Sequence, residues 1–335
     1  MGPAVAAALL LAADWSALER HQQTITRAEF DHLVATVYCP SGAFDKYLGC
    51  ADNTVTVFST PAKTNSLFTL RFADKSSTRF APRIGRVVLD PGHIGGAWAQ
   101  FEGRHFARGD DKPVEEAALN LNVARLVKTQ LEDGGLTVFL TKNNFEPLTD
   151  KRPPDARFDI AARARRINDE FKPDLTVCIH FNAAPWNSRR DLVASNRLGV
   201  FVHGNYLPDE VADDEMKFFL MSKLLERSHN FELSVADAVA RSLARATGLP
   251  PLGASDNSVA VRGHRYLLLR NLGMSRRTRG PVIYLEPYFM NNATVYERLQ
   301  LGDYDGWEKI GGRNYRSIFR EYADAVAEAL VPRGR

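Results

Sequence analysis

Three apolar runs in this chain stop on a side chain that could hold a metal or move a proton. Val87-Val88-Leu89 leads into Asp90-Pro91-Gly92-His93, Leu175-Thr176-Val177-Cys178-Ile179 into His180, and Val282-Ile283-Tyr284-Leu285 into Glu286. An apolar run ending in this way reads as a strand that delivers its last side chains to the carboxyl edge of a sheet, where α/β proteins build their sites. Between the first two runs, Glu115 and Glu116 precede the apolar-periodic stretch AALNLNVARLV. Each feature alone has an ordinary explanation. A histidine after a strand is commonly a hydrogen-bonded structural residue, and carboxylates at a helix start complement its macrodipole. Together, two histidines and a carboxylate form a hydrolytic zinc set that leaves a position for water, and a metal would offset the cost of burying such groups.

The elements that must position these residues can be read from periodicity. Leu119, Val123, Leu126, Val127 and Leu131 share one helical stripe that Gly134-Gly135 stops. LTVFLT, ARFDIAARARRINDEF, DLTVCIHFN, SVADAVARSLARATG, PVIYLEPYF and YRSIFREYADAVAEAL continue the alternation of strand and helix. This predicts an α/β fold over residues 81–335: a twisted, mostly parallel or mixed sheet flanked by helices. Upstream, Thr26 followed by Glu29 is a capping-box pattern opening TRAEFDHLVATVY, and TVTVFST and SLFTLRF alternate as strands. Residues 1–80 are therefore expected to form a small N-terminal α+β domain, with ADKSSTRFAPR as linker and a boundary near Ala81.

Composition narrows the partners. With 43 basic and 40 acidic residues the net charge is +3, too weak a field to argue for nucleic acid. The start, MGPAVAAALLLAADW, is too short to span a bilayer, so no transmembrane segment is expected. It has only part of a signal peptide's pattern. Of the three cysteines, Cys39 and Cys50 flank a loop and are candidates for a disulfide, while Cys178 reads as a core thiol.

The motifs LDPGHIGG, EEAALNLNVA, CIHFNAA and LEPYFMNN, in that order, resemble the zinc-dependent N-acetylmuramoyl-L-alanine amidases of the Amidase_3 type, over roughly Arg86 to Leu330. Alignment on Asn120, Leu121 and Ala124 selects Glu116 over Glu115. The resemblance implies Zn2+ as cofactor, with His93, Glu116 and His180 as its ligands. It implies Glu286 as the catalytic glutamate, acting as general acid and base, and Asn182 and Asn292 as residues of the groove. Asp90 is expected to orient His93 or cap a turn. The implied reaction cleaves the amide between N-acetylmuramic acid and L-alanine of peptidoglycan, in the periplasm or otherwise outside the cell. Tyr288 departs from the family, standing where glycine is expected, and this bears on the pocket beside Glu286.

Residues 187–230 read as an insertion containing a helix, DEVADDEMKFFLMSKLLERSHN. Some relatives carry a helix here that blocks the zinc until a protein activator displaces it, which makes Glu215 a candidate autoinhibitory plug; simple packing is the other explanation. His105, His203 and His264 are expected on the surface or in the groove. Three alternatives stay open: another zinc peptidase or deacetylase on the same scaffold, a non-catalytic peptidoglycan-binding protein, and Cys178 as a nucleophile beside His180.

Overall fold

A computed structural model describes residues 13–77, 83–185 and 191–331. The apolar run of residues 1–12, the expected boundary near Ala81 and the start of the expected insertion lie outside them. The chain divides into two compact units, one of residues 1–79 with 204–227, the other of residues 80–203 with 228–335.

In the first unit a 3-10 helix (Trp15–His21) precedes α1 (Arg27–Leu33), whose Thr26 cap accepts the Glu29 N–H as the capping box predicts. Strands β1 (Leu48–Ala51), β2 (Thr54–Phe58) and β3 (Ser66–Arg71) form an antiparallel sheet whose inward residues Val55, Val57, Phe68 and Leu70 are buried.

The second unit begins with β4 (Arg86–Pro91), a short pair β5 (His105–Phe106) and β6 (Val114–Glu115), and helix α2 (Glu116–Asp133). It continues through β7 (Thr137–Leu140), α3 (Ala156–Arg165), β8 (Leu175–Ile179) and β9 (Leu198–His203). The chain then enters the first unit for α4 (Asp214–Glu226) and returns for α5 (His229–Thr247), β10 (Val259–Ala260), β11 (Leu267–Arg270) and α6 (Gly273–Arg277). Last come β12 (Val282–Pro287), α7 (Ala293–Leu301), the hairpin β13 (Glu308–Ile310) and β14 (Arg313–Tyr315), and α8 (Ile318–Leu330).

Seven strands build one sheet in the order β10-β11-β9-β12-β8-β4-β7. Strands β7, β4, β8 and β12 are mutually parallel, whereas β9 pairs antiparallel with β12 and makes the sheet mixed. Strands β9 and β11 were not anticipated, because LGVFVH and LLLR lie between loops whose turn chemistry gave no hairpin signal.

Alternation decides which residues meet. Val88, Cys178, Phe201, Val282 and Tyr284 share a buried cluster with Ala164 of α3 and Ile167 just after it. Val87, Leu89, Val177 and Ile179 alternate with them and are equally buried, as expected for strands covered on both faces. Continuing the parity of Val88, Cys178 and Tyr284 by two residues puts Asp90, His180 and Glu286 at the carboxyl edge of neighbouring parallel strands.

Cys178 is fully buried in that cluster and burial pushes its thiol well above its usual pKa. A nucleophile needs an accessible thiolate, so this residue is a core thiol. His203, expected on the surface or in the groove, is 1% exposed and its Nδ1 lies 2.9 Å from the Ser275 hydroxyl. The strand that ends on it is enclosed on both faces. Cys39 is buried, Cys50 is exposed, and the two are not bridged.

Candidate metal centre

Strand β4 stops at Pro91, and the turn after it is shaped by two backbone facts. A Cβ on Gly92 would lie 1.9 Å from Cε1 of His180, so only glycine lets the turn pass that ring. His93 then adopts φ +67°, a left-handed conformation uncommon outside glycine. The turn is fixed by the Gly92 N–H donating to Ile179 O at 3.1 Å and by Asn120 Nδ2 donating to Gly92 O at 3.2 Å. Asn120 lies one helical turn beyond Glu116 on α2, so one helix face supplies both the carboxylate and the clamp.

Three donor atoms converge here. Glu116 Oε1 lies 3.2 Å from His93 Nε2 and 3.1 Å from His180 Nδ1, and the ligand-competent atoms of the three residues fall within 4.8 Å of one another. The imidazoles stand edge to face, with centroids 5.0 Å apart, and His180 stacks on Tyr284. Glu115, its neighbour, instead accepts the Gly96 N–H at 3.0 Å.

Electrostatics support a cation at this point. Burial opposes the charge on Glu116, but His93 and His180 hold its carboxyl well below the usual range. Burial likewise opposes a charged His93, yet Glu116 and Glu102 outweigh it and raise the ring from 6.5 to about 9. His180 is lowered, by burial first. An enclosed carboxylate flanked by two imidazoles, one retaining a proton, is a site where a metal ion would take over the compensating charge.

Glu286 ends the strand beside β8. Burial, then the charge of Glu116, raise its carboxyl from 4.5 to about 7, against the pull of Arg270, His93 and Arg104. Tyr322 of α8 ties the two strand ends together, its hydroxyl donating towards His180 O at 3.3 Å and Leu285 O at 3.1 Å. A cavity of about 580 Å³ opens beside the histidines, lined among others by Phe101, Arg104, Lys151 and Tyr284.

The remaining expected residues serve other contacts. Asp90 does not orient His93: its oxygens accept from Thr141 Oγ1 at 2.6 Å and Arg163 Nη1 at 2.5 Å. Asn182 Oδ1 accepts its neighbour Ala183's N–H at 2.7 Å. Asn292 caps α7 by accepting the Val295 N–H, and its Nδ2 donates to the carbonyls of residues 193 to 195. Glu215 belongs to α4 in the first unit, where Leu220, Met221, Leu224 and Leu225 are buried and Phe218 meets Trp15 edge to face.

Sequence reasoning missed Glu102, Arg104 and Lys142. Glu102 accepts from Ile94 and meets His93, Arg104 Nε stands 3.7 Å from Glu116 Oε2, and buried Lys142 donates to the His93 carbonyl. All three lie in connections without periodicity, where the only signal was charge beside an apolar stretch.

The sequence profile of the Amidase_3 family, described as N-acetylmuramoyl-L-alanine amidase, matches residues 87–318. The chain belongs to this family. As a member it is an N-acetylmuramoyl-L-alanine amidase, an enzyme of cell-wall peptidoglycan. No curated protein sequence matches it. Among solved structures, the amidase is similar to the N-acetylmuramyl-L-alanine amidase Ami1 of Mycobacterium abscessus, at 20% identity and TM-score 0.43, over 73% of this chain and 96% of that one. It is also similar to the CwlD amidase of Clostridioides difficile, solved in complex with the GerS lipoprotein, at 14% identity and TM-score 0.44, over 74% and 94%. With Cwp6 from Clostridium difficile the identity is 16% and the TM-score 0.43, over 74% of this chain, which spans only 29% of the Cwp6 chain.

Proposed function

We propose that this amidase is a zinc enzyme that hydrolyses the bond between the lactyl group of N-acetylmuramic acid and L-alanine, with Glu286 as its general acid and base. The observation that carries the reading is the convergence of His93 Nε2, Glu116 Oε1 and His180 Nδ1 within the matched domain. His93, Glu116 and His180 would hold the ion, and two neutral imidazoles with one carboxylate suit zinc. Bound zinc supplies Lewis acidity towards the amide carbonyl and acidifies water to a pKa of about 7.

The chain's own residues do the rest. Glu286, at the end of the strand beside β8, would take a proton from water and return it to the leaving amine nitrogen. Arg104 and Lys151 line the cavity beside the histidines and offer positive charge to an acidic stem peptide. The His180–Tyr284 stack and the Tyr322 hydroxyl keep the ring and the two strand ends in place. Among the described residues no helix is long and apolar enough to cross a membrane. We assign the enzyme to the periplasm or cell exterior because its substrate lies there.

The test is mass spectrometry of the products released from purified sacculi by zinc-loaded wild type and by Glu286→Gln. Free stem peptides from the wild type alone are expected. Cleavage within the peptide would move the enzyme to the peptidases, and equal release by the variant would remove Glu286 from its role.

A further inference from the structure

Glu102 lies outside every motif that carries the family resemblance, at the end of the short 3-10 helix Gly96–Glu102. Its side chain is only 10% exposed. One carboxylate oxygen, Oε2, stands 3.1 Å from His93 Nδ1 and accepts the Ile94 backbone N–H at 2.8 Å. On the opposite side of the same ring, Nε2 faces Glu116 Oε1 at 3.2 Å.

This arrangement has a chemical consequence. A neutral imidazole carries one N–H and one lone pair, and the partner of one nitrogen decides the state of the other. A carboxylate only accepts, so Glu102 favours the tautomer with the hydrogen on Nδ1, and Glu116 at Nε2 competes for that hydrogen until a metal takes the Nε2 lone pair. The same oxygen restrains the backbone, because the Ile94 N–H follows directly on the left-handed His93. His180 has a different support, stacking on Tyr284.

We propose that Glu102 is a positioning residue for His93, holding the ring's Nδ1–H so that Nε2 is presented to the centre shared with Glu116 and His180. The inference rests on the zinc reading above for its effect on metal, and on geometry alone for its effect on the ring. Asp90, the acid within the Asp-Pro-Gly-His motif, is occupied by Arg163 and Thr141, which leaves the role to an acid nine residues beyond the histidine.

Two measurements on the full chain test this with Glu102→Gln and Glu102→Ala, using His93→Ala as reference. Zinc affinity is read by competition with a chromophoric chelator. The His93 tautomer is read by nitrogen-15 NMR of the metal-free protein in a Glu116→Ala background, which removes the competing acceptor at Nε2, at a pH where the spectrum itself shows the ring neutral. Glu102→Ala should bind zinc about 10- to 100-fold more weakly and lose the preference for Nδ1–H. Glu102→Gln, whose amide oxygen still accepts, should fall between it and the wild type.

Wild-type affinity and an unchanged tautomer in both variants would overturn the proposal. A wild type that binds zinc no better than His93→Ala, with the tautomer still dependent on Glu102, would sink the zinc reading and leave the positioning role standing. If Glu102→Ala does not fold, as judged by circular dichroism, Glu102→Gln alone decides by the same two readouts.

Discussion

Arg163 donates to Asp90 Oδ2 at 2.5 Å and, through Nε, to Asp159 Oδ2 at 2.9 Å, and all three residues are buried. The guanidinium thus links the end of β4 to the helix α3 that covers it. Removing one partner of such a cluster leaves uncompensated buried charge. Arg163→Met should therefore destabilise the protein by about 3–5 kcal/mol, read by urea denaturation of the metal-free chain. Adding Asp90→Asn and Asp159→Asn to it should recover much of that loss; no recovery would mean that packing of the arginine stem, and not charge, dominates.

The same pair sets an acid limit. Burial works to raise the Asp90 carboxyl, but Arg163 and the Thr141 hydroxyl outweigh it and hold the group below its usual value. A depressed folded pKa means that the unfolded chain binds the proton first as pH falls. The contribution of Asp90 is therefore complete above the ordinary aspartate range and is lost as pH drops through the lowered value. Denaturation midpoints of wild type should fall more steeply between about pH 5 and pH 2 than those of Asp90→Asn, and parallel curves would refute the coupling.

Much of the centre was legible because strand-end chemistry leaves a pattern. His180 and Glu286 end apolar runs at one strand parity, His93 follows a third run through the Pro91-Gly92 turn, and Glu116 opens a strongly periodic helix. Glu102 and Arg104 left no such trace. They lie in the connection GGAWAQFEGRHF, where the path is set by tertiary contacts such as the Gly96 N–H to Glu115 and the Arg104 carbonyl to the Glu116 N–H. The destination of α4 was hidden for the same reason. Its amphipathic pattern shows that one side is buried, but not that Lys217 reaches the Ser59 carbonyl and Tyr38 the Lys223 carbonyl within the first unit.

Glu286 carries the opposite pH sign to Asp90. Its carboxyl is raised to about 7 by burial and by Glu116, so the folded state holds a proton that the unfolded chain releases near 4.5. In the metal-free protein its contribution is complete below the unfolded value and is lost as pH rises through about 7. Glu286→Gln should flatten the decline in stability over that interval. An identical decline in the variant would place the titration elsewhere.

Gly92 tests the steric basis of the centre without removing a ligand. A methyl group there would overlap the His180 ring at Cε1, Nε2 and Nδ1, with separations of 1.9, 2.3 and 2.6 Å. Either the turn or the ring must move. Gly92→Ala should lower zinc affinity by at least about tenfold, the scale on which misoriented ligands act, while far-ultraviolet circular dichroism stays as in the wild type. Unchanged affinity would show that the turn yields and the ring does not.

Tyr288 explains why a glycine is expected at its position, since its φ is +64°, a left-handed conformation that is an outlier for a bulky side chain. What over-determines it is packing. The buried ring stacks on Phe181 and meets Tyr322 edge to face, its hydroxyl donates to Glu321 Oε1 at 2.6 Å, and Arg298 lies over it. The ring is therefore directed to the side of α8, which supplies Glu321 and Tyr322. Tyr288→Gly would relieve strain of order 1–3 kcal/mol but lose a buried aromatic side chain, for which truncation costs about 3–5 kcal/mol. A net loss of about 2 kcal/mol is expected, measured by chemical denaturation, and about 1 kcal/mol for Tyr288→Phe, which loses only the hydroxyl. A Tyr288→Gly protein more stable than wild type would mean that the strain exceeds the packing that holds it.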